Sequence, residues 1–71
     1  MPLQPAAHEP ELLTIVEAAE VLRTPVATLR YWRQRNTGPR SFRLGRRILY
    51  RRGDLHAWID AQRERAVPTD A

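Results

Sequence analysis

Thr24-Pro25-Val26-Ala27-Thr28-Leu29-Arg30-Tyr31-Trp32-Arg33-Gln34-Arg35 is the stretch on which the fold turns. Thr24 has the side chain of a helix N-cap, and Pro25 suits the first helical position, where its missing N–H is not needed. These signals predict a helix of about three turns, ending before Asn36-Thr37-Gly38-Pro39. On a 3.6-residue period Leu29 and Trp32 share one face, with Pro25 above them. Ala27, Arg30, Tyr31 and Gln34 share the opposite face, flanked by Thr28 and Arg35.

A helix built this way has apolar anchors on one side and small, basic and amide side chains on the other. Small residues let a backbone approach base edges, and Arg and Gln reach bases or phosphates. Thr24, Ala27, Thr28, Arg30, Tyr31, Gln34 and Arg35 are therefore the candidate contacts of a recognition helix with double-stranded DNA.

Upstream, Thr14 and Glu17 have the spacing of a capping box, which predicts a first helix from about Ile15 to Leu22. Ile15, Val16, Ala19 and Leu22 are expected to face the core, with Glu17 and Glu20 toward water. Only Arg23 and Thr24 separate this helix from the next, so the two must pack at a steep angle, as in a helix-turn-helix. Arg23 is strained if the turn needs a positive φ.

Downstream, Gly38-Pro39 breaks the helical period. Phe42 to Tyr50 then reads as two short strands around a glycine turn, with Leu44 facing Ile48 and Phe42 facing Tyr50. All four are expected on one side, resting on the helices, because a lone hairpin is not stable. Arg46 and Arg47 fall at its tip and, with Arg43, are the candidate DNA contacts of a wing, since arginines enter narrow A·T-rich minor grooves. The last helix is expected from about Asp54 to Glu64, turning Leu55, Trp58 and Ile59 inward. The expected core is Leu13, Val16, Ala19, Leu22, Leu29, Trp32, Leu44, Ile48, Tyr50, Leu55, Trp58 and Ile59.

The chain has 71 residues, enough for one small domain. Its net charge of +4 understates a marked asymmetry: ten arginines lie between Val21 and Gly53, with no Asp or Glu among them. Such a basic middle suits a polyanionic partner. With no cysteine, disulfides and thiolate chemistry are excluded. No nucleophile with a base, acid–base pair or ligand set stands out, so no enzyme, metal or cofactor is expected. No apolar run is long enough for a membrane span, and the start lacks the pattern of a signal peptide, which points to the cytoplasm. Residues 1–11, with three of the six prolines, are expected to be a disordered tail, 12–65 the folded domain, and 66–71 a second tail.

The order helix, short turn, helix, hairpin and helix resembles the excisionase (recombination directionality factor) and AlpA-like family, which carries a MerR-type winged helix-turn-helix. Leu12-Leu13-Thr14 through Glu17-Ala18-Ala19 resembles its opening, and Thr28-Leu29-Arg30-Tyr31-Trp32 its recognition motif. Leu44-Gly45-Arg46-Arg47 through Tyr50, then Asp54-Leu55-His56-Ala57-Trp58-Ile59, resembles its wing and closing helix. Arg23 stands where the family usually has a small turn residue. The resemblance implies a mainly α fold with a small β-hairpin, binding duplex DNA with the helix in the major groove and the wing in the minor groove. It further implies several copies side by side on attachment-site DNA, bending it and directing a phage or mobile-element integrase toward excision at the bacterial nucleoid. A stand-alone factor is expected, without the effector domain and coiled coil of long MerR regulators. An operator-binding transcriptional regulator on the same fold is the alternative. A basic protein-interaction adaptor is a third reading, and it predicts no DNA affinity at moderate salt.

Overall fold

A computed structural model describes residues 10–66; of the tails expected at 1–11 and 66–71, residues 1–9 and 67–71 lie outside the described residues. The elements run β1 (Leu12–Thr14), α1 (Ile15–Leu22), α2 (Val26–Gln34), β2 (Phe42–Leu44), β3 (Arg47–Arg51) and α3 (Arg52–Arg65). The strands form one antiparallel sheet in the order β1-β3-β2, and with the three helices they make a winged helix-turn-helix.

The capping box at the start of α1 is formed. The Glu17 N–H donates to Thr14 Oγ1 at 3.2 Å, and the Thr14 N–H donates to Glu17 Oε1 at 2.9 Å. A cap of this kind contributes about 1 kcal/mol. The helix closes at Arg23, in the left-handed region at φ 54° and ψ 45°. There the Arg23 N–H donates to the Glu20 carbonyl and the Thr24 N–H to the Ala19 carbonyl, the paired bonds of a Schellman closure. The face α1 buries is Ile15, Ala18, Ala19 and Leu22, an i, i+3, i+4, i+7 stripe. Val16, expected in the core, lies about 100° off that stripe and is 54% exposed. Ala18 and Ala19 take the central place because their small side chains let α1 lie close to its neighbours.

Helix α2 starts one residue later than the sequence predicts. Its N-cap is Pro25, with extended backbone at φ −62° and ψ 145°, and Thr24 caps nothing. The Thr24 hydroxyl instead turns back and donates to the Leu22 carbonyl at 2.9 Å. Pro25 serves because its carbonyl accepts from the Thr28 N–H, and a cap position needs no N–H of its own. The far end closes like α1: Asn36, at φ 58°, donates to the Arg33 carbonyl, and the Thr37 N–H donates to the Trp32 carbonyl at 2.8 Å.

The hairpin register differs by one residue from the sequence expectation. Phe42 pairs with Leu49, Arg43 with Ile48 and Leu44 with Arg47, which leaves a two-residue turn of Gly45 and Arg46. Gly45 at the first central position has φ 66°, the requirement of a type II′ turn. A one-residue slip exchanges faces. Ile48 and Tyr50 therefore point to the core with Leu13, whereas Phe42, Leu44 and Leu49 occupy the opposite face. Leu44, expected inside, is 56% exposed, and Phe42 does not face Tyr50. Strand β1, absent from the sequence reading, pairs Leu12 with Arg51, Leu13 with Tyr50 and Thr14 with Leu49.

Helix α3 begins two residues before the expected Asp54. Its first residue ties back to the segment ahead of β1: the Arg52 N–H donates to the Glu11 carbonyl at 2.8 Å, and Arg52 Nε donates to the Pro10 carbonyl at 2.9 Å. Pro10 and Glu11, taken in sequence as the end of the tail, are thus engaged with the sheet and α3. Leu13, Ala18, Ala19, Leu29, Tyr50 and Leu55 form the buried cluster. Trp32 and Trp58 meet beside it, with ring centroids 5.3 Å apart and planes tilted by 48°. Tilted pairs of this kind add to burial through edge and face electrostatics.

Candidate nucleic-acid interface

Leu29 is fully buried and sets the roll of α2 on the domain. With that face fixed, Ala27, Arg30, Tyr31 and Gln34 are all exposed and form one i, i+3, i+4, i+7 stripe. Arg35 is exposed beside them, its guanidinium carbon 5.5 Å from the centre of the Tyr31 ring. A cation over an aromatic face at this range holds both side chains in place. Thr24 and Thr28 are half-buried at the edges of the stripe.

On the flank of α2 toward the sheet lies a groove of about 550 Å³. Arg30, Arg33 and Gln34 of α2, Arg47 and Ile48 of β3, and Thr14, Ile15 and Val16 at the start of α1 line it. Helix and hairpin thus put guanidinium groups on one shared surface, with no carboxylate side chain lining the groove. The hairpin arginine that joins Arg30 there is Arg47, which follows the turn. Arg46, within the turn, and Arg43, opposite Ile48, are exposed but do not line the groove.

Arg33 is the residue the sequence reading missed. It lies i+3 from Arg30 and i+7 from Val26, on the flank between the buried and exposed faces of α2. That spacing was the available signal. Its Nε donates to Ser41 Oγ at 3.1 Å, which ties the C-terminal half of α2 to the segment entering β2. Below this contact sits Tyr50, with 1% exposure. Burial pushes its phenol above the ordinary value of 10.0, opposed by the Arg33 guanidinium and by its hydrogen bond with Ser41. Arg33, Ser41 and Tyr50 therefore join helix, loop and sheet under the basic surface.

Gly38 fixes where the chain leaves α2. It has φ 79°, and a Cβ there would stand 2.8 Å from Trp32 Cε3. Among the described residues no group of three or more His, Cys, Asp and Glu could hold a metal ion. No described helix is long and apolar enough to cross a membrane.

A family model described as a helix-turn-helix domain matches residues 12–63. No curated protein and no solved structure matches the chain.

Proposed function

The chain belongs to the helix-turn-helix domain family and is a DNA-binding protein of that kind, and from this premise we propose that α2 reads the major groove of duplex DNA while the β2–β3 hairpin enters the adjacent minor groove. The observation that carries the reading is the exposed stripe of Ala27, Arg30, Tyr31 and Gln34 beside a groove shared with Arg47. Arg30 and Gln34 reach base edges or phosphates, and Ala27 and Thr28 allow close approach. Thr24, Tyr31 and Arg35 contact the flanking backbone. Arg46 at the turn, with Arg43 and Arg47 on either strand, supplies the wing.

The biological role follows from the residues that resemble excisionase and AlpA-like proteins. The protein acts in the bacterial nucleoid as a recombination directionality factor. Several copies bind side by side on attachment-site DNA, bend it, and bias an integrase toward excision, without bond chemistry of their own. Phosphate neutralisation supplies affinity to so small a module, and neighbouring copies share the cost of bending.

Footprinting on attachment-site DNA, with and without the integrase, tests this role together with deletion of the gene. Loss of excision supports it. Unchanged excision with altered transcription instead assigns the same surface to an operator-binding regulator.

A further inference from the structure

Val16 is an apolar, β-branched residue left more than half exposed in the first turn of α1, beside three arginines. Its groove has a mixed lining: Ile15, Val16 and Ile48 are apolar, and Arg30, Arg33 and Arg47 are cationic. We infer that this groove seats one sugar-phosphate strand of duplex DNA, the ridge that separates the groove entered by α2 from the groove entered by the hairpin.

The inference rests on the DNA-binding reading and sharpens it. Adjacent major and minor grooves are divided by a single backbone strand, so two elements entering both must straddle that strand. The space between α2 and β3 is where it lies. Guanidinium groups match phosphate oxygens in charge and geometry. The apolar lining matches the CH surface of deoxyribose. Arg33 is already held by its bond to Ser41 at 3.1 Å, so it loses little side-chain freedom on contact. Contacts of this class fix register and affinity without reading sequence. General DNA affinity then belongs to Arg33 and Arg47 within the groove, and base preference to Ala27, Thr28 and the side of Arg30 and Gln34 that faces away from it, since those two stand on the boundary between stripe and groove.

Two variants test the assignment, Val16→Asp and Arg47→Ala. An acid in the first turn suits the positive end of the helix, and Val16 is exposed, so Val16→Asp is expected to fold. It places a negative charge where the phosphate sits. Both variants should keep the thermal midpoint and weaken binding to specific and unrelated duplexes by the same factor. For Arg47→Ala that factor is about tenfold at 0.1 M salt, with the slope of log K against log salt smaller by roughly 0.9. Methyl signals of Val16 and Ile48 should shift with duplex DNA and not with inorganic phosphate at matched phosphate concentration. A folded Val16→Asp that binds as tightly as the parent overturns the groove assignment while leaving DNA binding intact. Equal shifts with inorganic phosphate make the groove a small-anion site and also overturn it. A parent protein that ignores duplex DNA at low salt removes the functional reading and the groove assignment together.

Discussion

Arg23 holds a left-handed backbone at φ 54°, a conformation that costs an L-residue about 1–2 kcal/mol and glycine little. The Schellman closure requires it, and the three-residue link to α2, Arg23-Thr24-Pro25, leaves little room to redistribute the bend. Arg23→Gly should therefore raise the unfolding free energy by about 0.5–1 kcal/mol, after the extra freedom glycine has in the unfolded chain. A urea titration reads this directly, and a loss of stability would mean that the Arg23 side chain has a structural role. Gly38 is the reverse case. Gly38→Ala meets a positive φ and puts a Cβ 2.9 Å from Trp32 Cβ, so it should cost about 1–3 kcal/mol and disturb the Trp32–Trp58 fluorescence. Tyr50 adds a pH dependence. Its folded pKa is raised above the unfolded value of 10.0 because burial favours the neutral phenol. Above that value the folded state keeps the proton longer, so the stabilisation is complete below pH 10.0 and is lost as pH rises through the folded pKa. Tyr50→Phe should abolish this alkaline loss in pH-dependent melts; an unchanged profile would assign it elsewhere.

At the scale of the elements, some features were legible because their causes are local. The capping box needs only Thr14 and Glu17, and the apolar face of α2 needs only Leu29 and Trp32 at helical spacing. The hairpin register was not legible. A glycine in Leu44-Gly45-Arg46-Arg47 fits either a two- or a three-residue turn, and the choice is made by which strand face meets Leu13 and the helices. Strand β1 is three residues long, too short to show a period of two. The buried face of α1 was misread for a related reason: Val16 is more apolar than Ala18, yet close packing prefers the alanine. Arg33 escaped because its role depends on Ser41, eight residues away across a loop. The register makes a stability prediction. Leu44→Ser, at an exposed position, should change stability by less than about 0.5 kcal/mol, whereas Leu55→Ala should cost about 2–5 kcal/mol. Comparable losses at both positions in chemical denaturation would restore the register in which Leu44 packs inside.

For the whole molecule, charge and core divide the work. The buried cluster draws on β1, α1, α2, β3 and α3, and contains no charged residue. The arginines of the central segment lie outside it, and the described acids Glu11, Glu17, Glu20, Asp54, Asp60 and Glu64 lie at either end of the sequence. Removing one exposed arginine should therefore change the field over the DNA-facing surface without touching the packing beneath it. Arg30 is the sharpest test. It is exposed on α2, one turn from Ala27 and Gln34, and alanine is at least as good a helix former there. Arg30→Ala should leave the thermal midpoint almost unchanged, while Leu29→Ala next to it should unfold much of the population by emptying the centre of the core. Anisotropy titrations with duplex DNA over a series of salt concentrations supply the second readout. If Arg30 meets a phosphate, log K for every duplex falls and the salt slope shrinks by roughly 0.9. If it meets a base edge, the slope is kept and discrimination at one position drops by about 1–3 kcal/mol. A variant that melts early, or one that binds and discriminates like the parent, would show that the exposed side of α2 has been assigned to the wrong partner.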